Sequence, residues 1–134
     1  MQYLLSAAAD ARLKAYAPYS NYQVGAAVED ENGAIHVGCN VENISYGGTI
    51  CAERSAVSRM IEQGGRRIVA VAVVTVDGGT PCGLCRQVIS EFADDATLVI
   101  MSSTDPTNPA RTCLFDELFP DAFKSALVLR TDGP

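Results

Sequence analysis

The chain has 134 residues, and 48% of its side chains are apolar, which is typical of one globular domain. Sixteen acidic and ten basic residues give a net charge of −6, which disfavours binding to the phosphate backbone of nucleic acids. The N-terminal sequence lacks the basic region of a signal peptide, and no apolar run is long enough to span a membrane. We therefore expect one cytoplasmic domain over residues 1–134 that acts on a small molecule, not on nucleic acid or a membrane.

The first third of the sequence predicts a helix followed by a β-hairpin. The helix ends before Pro18, and its apolar side is formed by residues with helical spacing, namely Leu4, Leu5, Ala8, Ala11 and Ala15. Two strands follow, over 23–29 and 34–38. The dipeptide Asn32-Gly33 between them is a strong signal for a tight hairpin turn.

The remaining sequence alternates helices with buried strands. Helices are predicted over 49–63, where two glycines end the helix, and over 83–93. The continuous apolar runs at 67–76 and 98–101 are typical of strands that are covered on both faces. A short strand at 112–115 and a helical turn at 116–118 follow. This order predicts an α/β domain with one mixed sheet between helices, while residues 124–134 remain unassigned.

Three of the five cysteines fall in two short motifs, Cys51-Ala52-Glu53 and Pro81-Cys82-Gly83-Leu84-Cys85. Both motifs lie where a predicted helix begins, and the helix dipole stabilises thiolates there. Three protein ligands leave the fourth position of Zn²⁺ open, as in catalytic zinc sites. An odd number of cysteines without a signal peptide argues against a disulfide framework. We interpret the other two cysteines as ordinary buried thiols; they are Cys39 and Cys113.

Polar residues beside these cysteines suit a reaction centre. Glu53 lies two residues after the first cysteine, where it can move protons without binding the metal. A Cys or His followed two residues later by Glu, and then by P-C-x-x-C, is the signature of zinc-dependent deaminases. Arg54 and Arg86 each follow a cysteine motif closely and could offset the negative charge of three thiolates by donating to sulfur. Of the two, we favour Arg54.

Two other interpretations of the cysteines stay open at this stage. Cys82 and Cys85 alone have the spacing of a thioredoxin-like redox pair. That interpretation leaves Cys51 and Glu53 unexplained, and the early hairpin is in the wrong order for that fold. A structural zinc site would require a fourth ligand, for which the candidates are Cys39, Cys113 and His36.

Taken together, the motifs resemble the small, three-cysteine, homotetrameric cytidine deaminases. The matching stretches follow one another from residue 17 to residue 123 with family-like spacing: Ala17 to Ser20, Val24 to Ala27, Gly38 to Asn43, Ser45 to Gly47, Cys51 to Arg54, Pro81 to Val88 and Glu117 to Phe123. The resemblance implies a three-layer α/β/α fold with a mixed five-stranded sheet. It also implies hydrolytic deamination of cytidine and deoxycytidine, with one Zn²⁺ per subunit. A modified cytosine nucleoside, such as an antibiotic, is the alternative substrate.

The resemblance further implies roles for individual residues. The zinc ligands would be Cys51, Cys82 and Cys85, and Glu53 would move protons between water, ring N3 and the departing amine. Asn40 and Glu42 would hold the 3′-hydroxyl of the sugar, and the backbone N–H of Ala52 would face the 2-carbonyl of the pyrimidine. The remaining implied site residues are Tyr22 beside the base, where the family usually has Phe, Phe123 stacking on the base of a neighbouring subunit, and Arg54 beside the zinc ligands. The active sites would therefore be shared within a homotetramer.

Overall fold

The computed structural model describes residues 1–124, which contain a five-stranded sheet and four helices. The strands are β1 (Gly25–Asp30), β2 (Ile35–Cys39), β3 (Ile68–Thr75), β4 (Leu98–Ser103) and β5 (Arg111–Leu114). The helices are α1 (Gln2–Arg12), α2 (Ala52–Glu62), α3 (Gly83–Ser90) and α4 (Phe115–Leu118), with a 3₁₀ turn at Tyr46–Gly48. Most of the unassigned tail, residues 125–134, lies outside the described part.

The sheet is mixed, with the strand order β2-β1-β3-β4-β5. The pair β3–β4 is parallel, and the other three neighbouring pairs are antiparallel. Along β3, Ala70, Ala72 and Val74 pack towards α1, while Val71 and Val73 join the core on the other face beneath α2 and α3. This alternation follows from the two-residue period of a strand. The predicted α/β/α arrangement with a mixed five-stranded sheet is confirmed.

Helix α2 is placed by its contact with β2. A Cβ on Gly38 would lie 2.5 Å from the backbone nitrogen of Ala56 and 2.6 Å from the carbonyl oxygen of Ala52. Any side chain at this position would therefore push the helix away from the strand. The close approach fixes the first turn of α2, which carries Glu53, against the end of β2.

The predicted start of α2 at residue 49 is wrong by three residues, because tertiary hydrogen bonds compete with the helix. Ile50 and Val41 exchange backbone hydrogen bonds of 2.9 Å in both directions, which holds the chain extended before the helix. Cys51 then becomes the residue that caps α2. The first helix also ends earlier than predicted, at Arg12, and the N–H of Tyr16 bonds the carbonyl oxygen of Asn40 instead.

No helix within residues 1–124 is long and apolar enough to cross a membrane. The cytoplasmic location expected from the N-terminal sequence stays a prediction.

The β1–β2 hairpin encloses a buried hydrogen bond between Asp30 and His36. The turn has Gly33 in the left-handed region, with a φ of 80°, as the Asn-Gly signal predicts. Asp30 accepts hydrogen bonds from the backbone N–H groups of Asn32 and Ala34, and its other oxygen lies 2.7 Å from Nε2 of His36. Burial favours a higher pKa of Asp30, but the hydrogen bonds from His36 and the two N–H groups outweigh it and hold that pKa below its usual value.

Replacing Asp30 by Ala is expected to lower the free energy of unfolding at pH 7 by about 1–3 kcal/mol, because His36 and two backbone donors lose their acceptor. Since the pKa of Asp30 is lower in the folded state, its contribution is present above the unfolded pKa and is lost as the pH falls below about 4. Urea unfolding at pH 7 and pH 3 measures both effects. The control is Asp95→Ala, at an exposed position in a turn, and equal losses in the two variants would contradict the assignment.

Candidate active site

The three cysteines of the two motifs meet at one end of the sheet. Their sulfur atoms all lie within 4.8 Å of one another. Cys51 caps α2, Cys82 caps α3, and Cys85 lies in the first turn of α3. Within residues 1–124, no other three His, Cys, Asp or Glu side chains are grouped in this way.

The donor set suits a single zinc ion. Zn²⁺ binds thiolates at about 2.3 Å in tetrahedral geometry, and three sulfurs this close together can share one such ion. The three residues proposed as a fourth ligand lie elsewhere: His36 pairs with Asp30, and neither Cys39 nor Cys113 belongs to the cluster. The described residues therefore supply three ligands and leave one position for water or substrate, which is the arrangement of a catalytic site.

The charge on the sulfur cluster is uneven. Hydrogen bonding from the Cys85 thiol, aided by Arg54, lowers the pKa of Cys51 to about 5. The Cys85 thiol donates to Cys51, and this bond together with burial raises the pKa of Cys85. The two sulfurs are close enough that a charge on Cys51 disfavours a second charge on Cys85 when no metal is bound. Binding of a divalent cation removes that conflict.

The two arginines next to the cysteines have different partners. Nη2 of Arg54 donates to the carbonyl oxygen of Thr49 at 2.9 Å and contacts Sγ of Cys51 at 3.8 Å. Arg86 instead donates to the carbonyl oxygens of Pro81 at 2.8 Å and of Leu118 at 2.6 Å. Arg54 is thus the arginine beside sulfur, as we favoured, whereas Arg86 ties the start of α3 to the end of α4.

Glu53 is the buried carboxyl group beside the cluster, with 5% of its surface exposed. Burial raises the pKa of Glu53 to about 7, and the charge on Cys51 adds to this effect. A carboxyl group with a pKa near 7 can both accept and release a proton at neutral pH. Its position two residues after the helix cap directs it towards the same pocket as Cys51 and Cys82.

A pocket of about 430 Å³ opens in front of these groups, a size that is typical of small-molecule sites. Its lining brings together the predicted site residues Tyr22, Asn40, Glu42, Cys51, Ala52, Glu53 and Cys82. A larger cavity of about 610 Å³ lies between α1 and the segment after β4, but none of the residues lining it is a cysteine or a histidine. We therefore assign the smaller pocket as the active site.

Asn40 and Glu42 support the wall of this pocket. Asn40 is buried, and its amide bridges the chain before β1 by accepting from the N–H of Val24 and donating to the carbonyl oxygen of Tyr22, both at 2.8 Å. Glu42 accepts from the N–H groups of Tyr19 and Ser20 and from the Ser20 hydroxyl. Both side chains thus have structural partners as well as a surface in the pocket.

Phe123 lies apart from the pocket of its own chain. Its side chain is 81% exposed, so it is not a core residue. Nε2 of Gln87 donates to its carbonyl oxygen at 3.0 Å, which connects the Phe123 segment to α3. Tyr46 is 75% exposed and stacks edge-on against Tyr19, with ring centroids 5.9 Å apart.

Asp77, which contacts the pocket residue Tyr22, was not identified from the sequence. The hydroxyl of Tyr22 donates to Oδ1 of Asp77 at 2.6 Å, which supplies the partner that a tyrosine at this position needs. The two residues are 55 positions apart, so no local pattern links them. The only available signal was the polar hydroxyl itself, at a position where the resembling family usually has Phe.

Replacing Cys82 by Ser is expected to remove most of the zinc that the purified protein retains, because two sulfur ligands hold Zn²⁺ more weakly than three. Cys39→Ser is the matched control, since Cys39 is partly buried and lies outside the cluster. Zinc per chain is measured by atomic absorption after dialysis. Equal retention by the two variants would exclude Cys82 as a ligand.

Comparison with known proteins gives the same assignment. Residues 1–102 match the family described as the cytidine and deoxycytidylate deaminase zinc-binding region. A cytidine deaminase of Halalkalibacterium halodurans is 42% identical over 91% of this chain and 92% of its own length. Two crystal structures of cytidine deaminases superpose closely.

The structure from Burkholderia pseudomallei has a TM-score of 0.84 and 43% identity, covering 91% of this chain and 98% of that one. The structure from Mycobacterium tuberculosis has a TM-score of 0.80 and 40% identity, covering 92% of this chain and 97% of that one. Matches of this extent include the segments that carry the three cysteines and Glu53. The chain therefore belongs to the cytidine and deoxycytidylate deaminase family.

Proposed function

We propose that this protein is a zinc-dependent hydrolase that converts cytidine and deoxycytidine to the corresponding uridines and releases ammonia. The observation that carries the proposal is a buried carboxyl group, Glu53, in the same pocket as the three-sulfur cluster. A redox pair would need only Cys82 and Cys85, and a structural site would need a fourth ligand. Relatives named cytidine deaminase favour cytidine over a modified cytosine nucleoside as the substrate.

Cys51, Cys82 and Cys85 would hold the zinc ion. When bound, Zn²⁺ lowers the pKa of water, so that a nucleophile is available at neutral pH. The proton that this water loses on attacking C4 needs an acceptor, and Glu53 is the buried base within the pocket. The same carboxyl group would deliver this proton to N3, then take the second proton of the attacking water from the oxygen on C4 and pass it to the amino group, which leaves as ammonia. Each proton that Glu53 accepts is released again, so the residue is regenerated after every turnover.

Glu42, Asn40 and Ala52, which line the same pocket, would hold the nucleoside. An ionised carboxylate has about four acceptor positions, and Glu42 uses three of them for Tyr19 and Ser20. A fourth position remains for a sugar hydroxyl. The amide of Asn40 also keeps one N–H and one lone pair beyond its two backbone bonds. Ala52 is the first residue of α2, where backbone N–H groups have no partner within the helix, so its N–H can face the pyrimidine 2-carbonyl.

Replacing Glu53 by Gln is expected to lower kcat for cytidine at least about 10³-fold while zinc stays bound, because the amide keeps the shape but cannot accept the proton. The loss of ultraviolet absorbance on conversion of cytidine to uridine measures the rate. Glu62→Gln is the matched control, since Glu62 is an exposed residue near the end of the same helix. Turnover by Glu53→Gln near the wild-type rate would remove Glu53 from the mechanism.

We further propose that the active sites are completed within a homotetramer. Phe123 is exposed on its own chain and is not among the residues that line the pocket. An aromatic ring in this position can stack on a base only if it reaches the pocket of a neighbouring subunit. Tyr46 and Ile44, which are exposed on the segment after Glu42, would then be covered by the partner.

Sedimentation is expected to show an assembly of four 14.2 kDa chains. Phe123→Ala should raise KM for cytidine, since stacking an aromatic ring on a base is worth about 1–3 kcal/mol. Val69→Ala, at another exposed apolar position, is the control. Mixing refolded Phe123→Ala chains with Glu53→Gln chains should restore part of the activity, because some sites then combine an intact Glu53 with a neighbour's Phe123. A fully active monomer would contradict the shared site.

A further inference from the structure

A hydrogen bond joins Tyr22, which lines the active-site pocket, to Asp77. The hydroxyl of Tyr22, on the segment before β1, donates to Oδ1 of Asp77, on the loop between β3 and α3. At 2.6 Å, this is the short distance expected for a hydroxyl that donates to a charged carboxylate. The same oxygen accepts from the Thr75 hydroxyl at 3.1 Å and from the N–H of Gly79 at 3.2 Å. Asp77 thus joins its own loop to the segment before β1.

The protonation states keep this bond in place at neutral pH. Burial and the hydrogen bond to Asp77 both raise the pKa of Tyr22, so the phenol keeps its proton. The hydrogen bonds from Tyr22 and Thr75 lower the pKa of Asp77, so the carboxyl group stays ionised. The donor and acceptor roles are therefore fixed over the range in which the enzyme would work.

We call the Tyr22–Asp77 hydrogen bond the bridge. Its two residues are connected to different parts of the site. The carbonyl oxygen of Tyr22 accepts from the Asn40 amide, and its N–H donates to the hydroxyl of Ser20, which donates to Glu42. This is the side proposed to hold the sugar. Three residues beyond Asp77, the loop reaches Thr80 and then Pro81 and Cys82.

The end of the loop next to Cys82 is held by Arg86, which donates to the Thr80 hydroxyl at 3.1 Å and to the carbonyl oxygen of Pro81 at 2.8 Å. Arg86 does not hold the middle of the loop. There, a Cβ on Gly79 would lie 3.0 Å from the Tyr22 hydroxyl oxygen and 3.4 Å from Oδ1 of Asp77, so the loop backbone packs directly on the bridge. Tyr22 thus holds this part of the loop from the side of the segment before β1, while the Ser103 hydroxyl on β4 donates to the carbonyl oxygen of Val76 at 2.9 Å.

We propose that Asp77 is a positioning residue of the active site, which acts through Tyr22 to fix the distance between the sugar-binding wall and the loop that leads to Cys82. As a statement about catalysis, the proposal rests on the function proposed above. Without the bridge, the loop gains freedom, the pocket widens, and Cys82 is held less firmly. The expected result is a higher KM with a smaller change in kcat, and faster loss of zinc.

The test compares Tyr22→Phe, Asp77→Ala, Asp77→Asn and the double variant Tyr22→Phe/Asp77→Ala. We expect Tyr22→Phe and Asp77→Ala each to raise KM for cytidine about three- to tenfold. The double variant should be no worse than Asp77→Ala alone, because that substitution already removes the bond from Tyr22 together with those from Thr75 and Gly79. Asp77→Asn keeps an acceptor oxygen and should recover part of the effect. Release of zinc to a chromophoric chelator, measured without substrate, should be accelerated in the same order.

Tyr3→Phe is the matched control. The Tyr3 hydroxyl donates to Glu29, which is a second phenol–carboxylate bond between two elements, but Glu29 lies towards the opposite end of β1 from the pocket. This variant should leave KM and zinc release unchanged.

The outcomes separate the proposals. Additive effects in the double variant, or unchanged KM and zinc release in Asp77→Ala, would overturn the positioning role of Asp77. A raised KM in Tyr22→Phe alone would mean that the hydroxyl binds substrate directly, and this also overturns it. If the wild type does not convert cytidine, the proposed function fails, while the zinc-release rates still decide whether the bridge restrains the loop.

Discussion

The whole active site depends on two helices that begin at the same end of one sheet. Three sulfur atoms can share an ion only if the starts of α2 and α3 converge to within 4.8 Å. Helix α2 is brought there by its backbone contact with Gly38 on β2. Helix α3 is brought there by the connection between β3 and β4, which form the parallel pair of the sheet. Each helix alone supplies an incomplete ligand set.

This convergence also accounts for the properties of Glu53. The first turn of α2 presses its side chain into the interior, and burial disfavours the charged carboxylate. The neighbouring Cys51 adds negative charge, while Arg54 partly offsets it. A carboxyl group that would be ionised in water at neutral pH becomes one that exchanges protons near neutral pH. Because Cys51 is the cap residue of α2, Glu53 lies in the first turn of the helix, where burial raises its pKa.

The polar residues around the pocket serve both structure and binding. Asn40 and Glu42 hold the chain before β1, and Tyr22 with Asp77 joins that chain to the loop before α3. A wall built from hydrogen bonds is directional, so it presents its remaining donors and acceptors in fixed positions. Substitutions there are expected to change substrate capture more than the chemical step, because these residues are not the ones proposed to move protons.

Local sequence determined the order of helices and strands, the cysteine motifs at two helix starts, and Glu53 beside them. Periodicity, turn residues and motif spacing act over a few residues, so a single sequence displays them. The tertiary structure alone decided that α2 begins at Ala52, because Val41 and Ile50 pair first, and that Arg86 bonds carbonyl groups and not sulfur. It alone revealed Asp77 as the partner of Tyr22. Contacts between residues far apart in the chain depend on how elements pack, and packing leaves no local pattern to read.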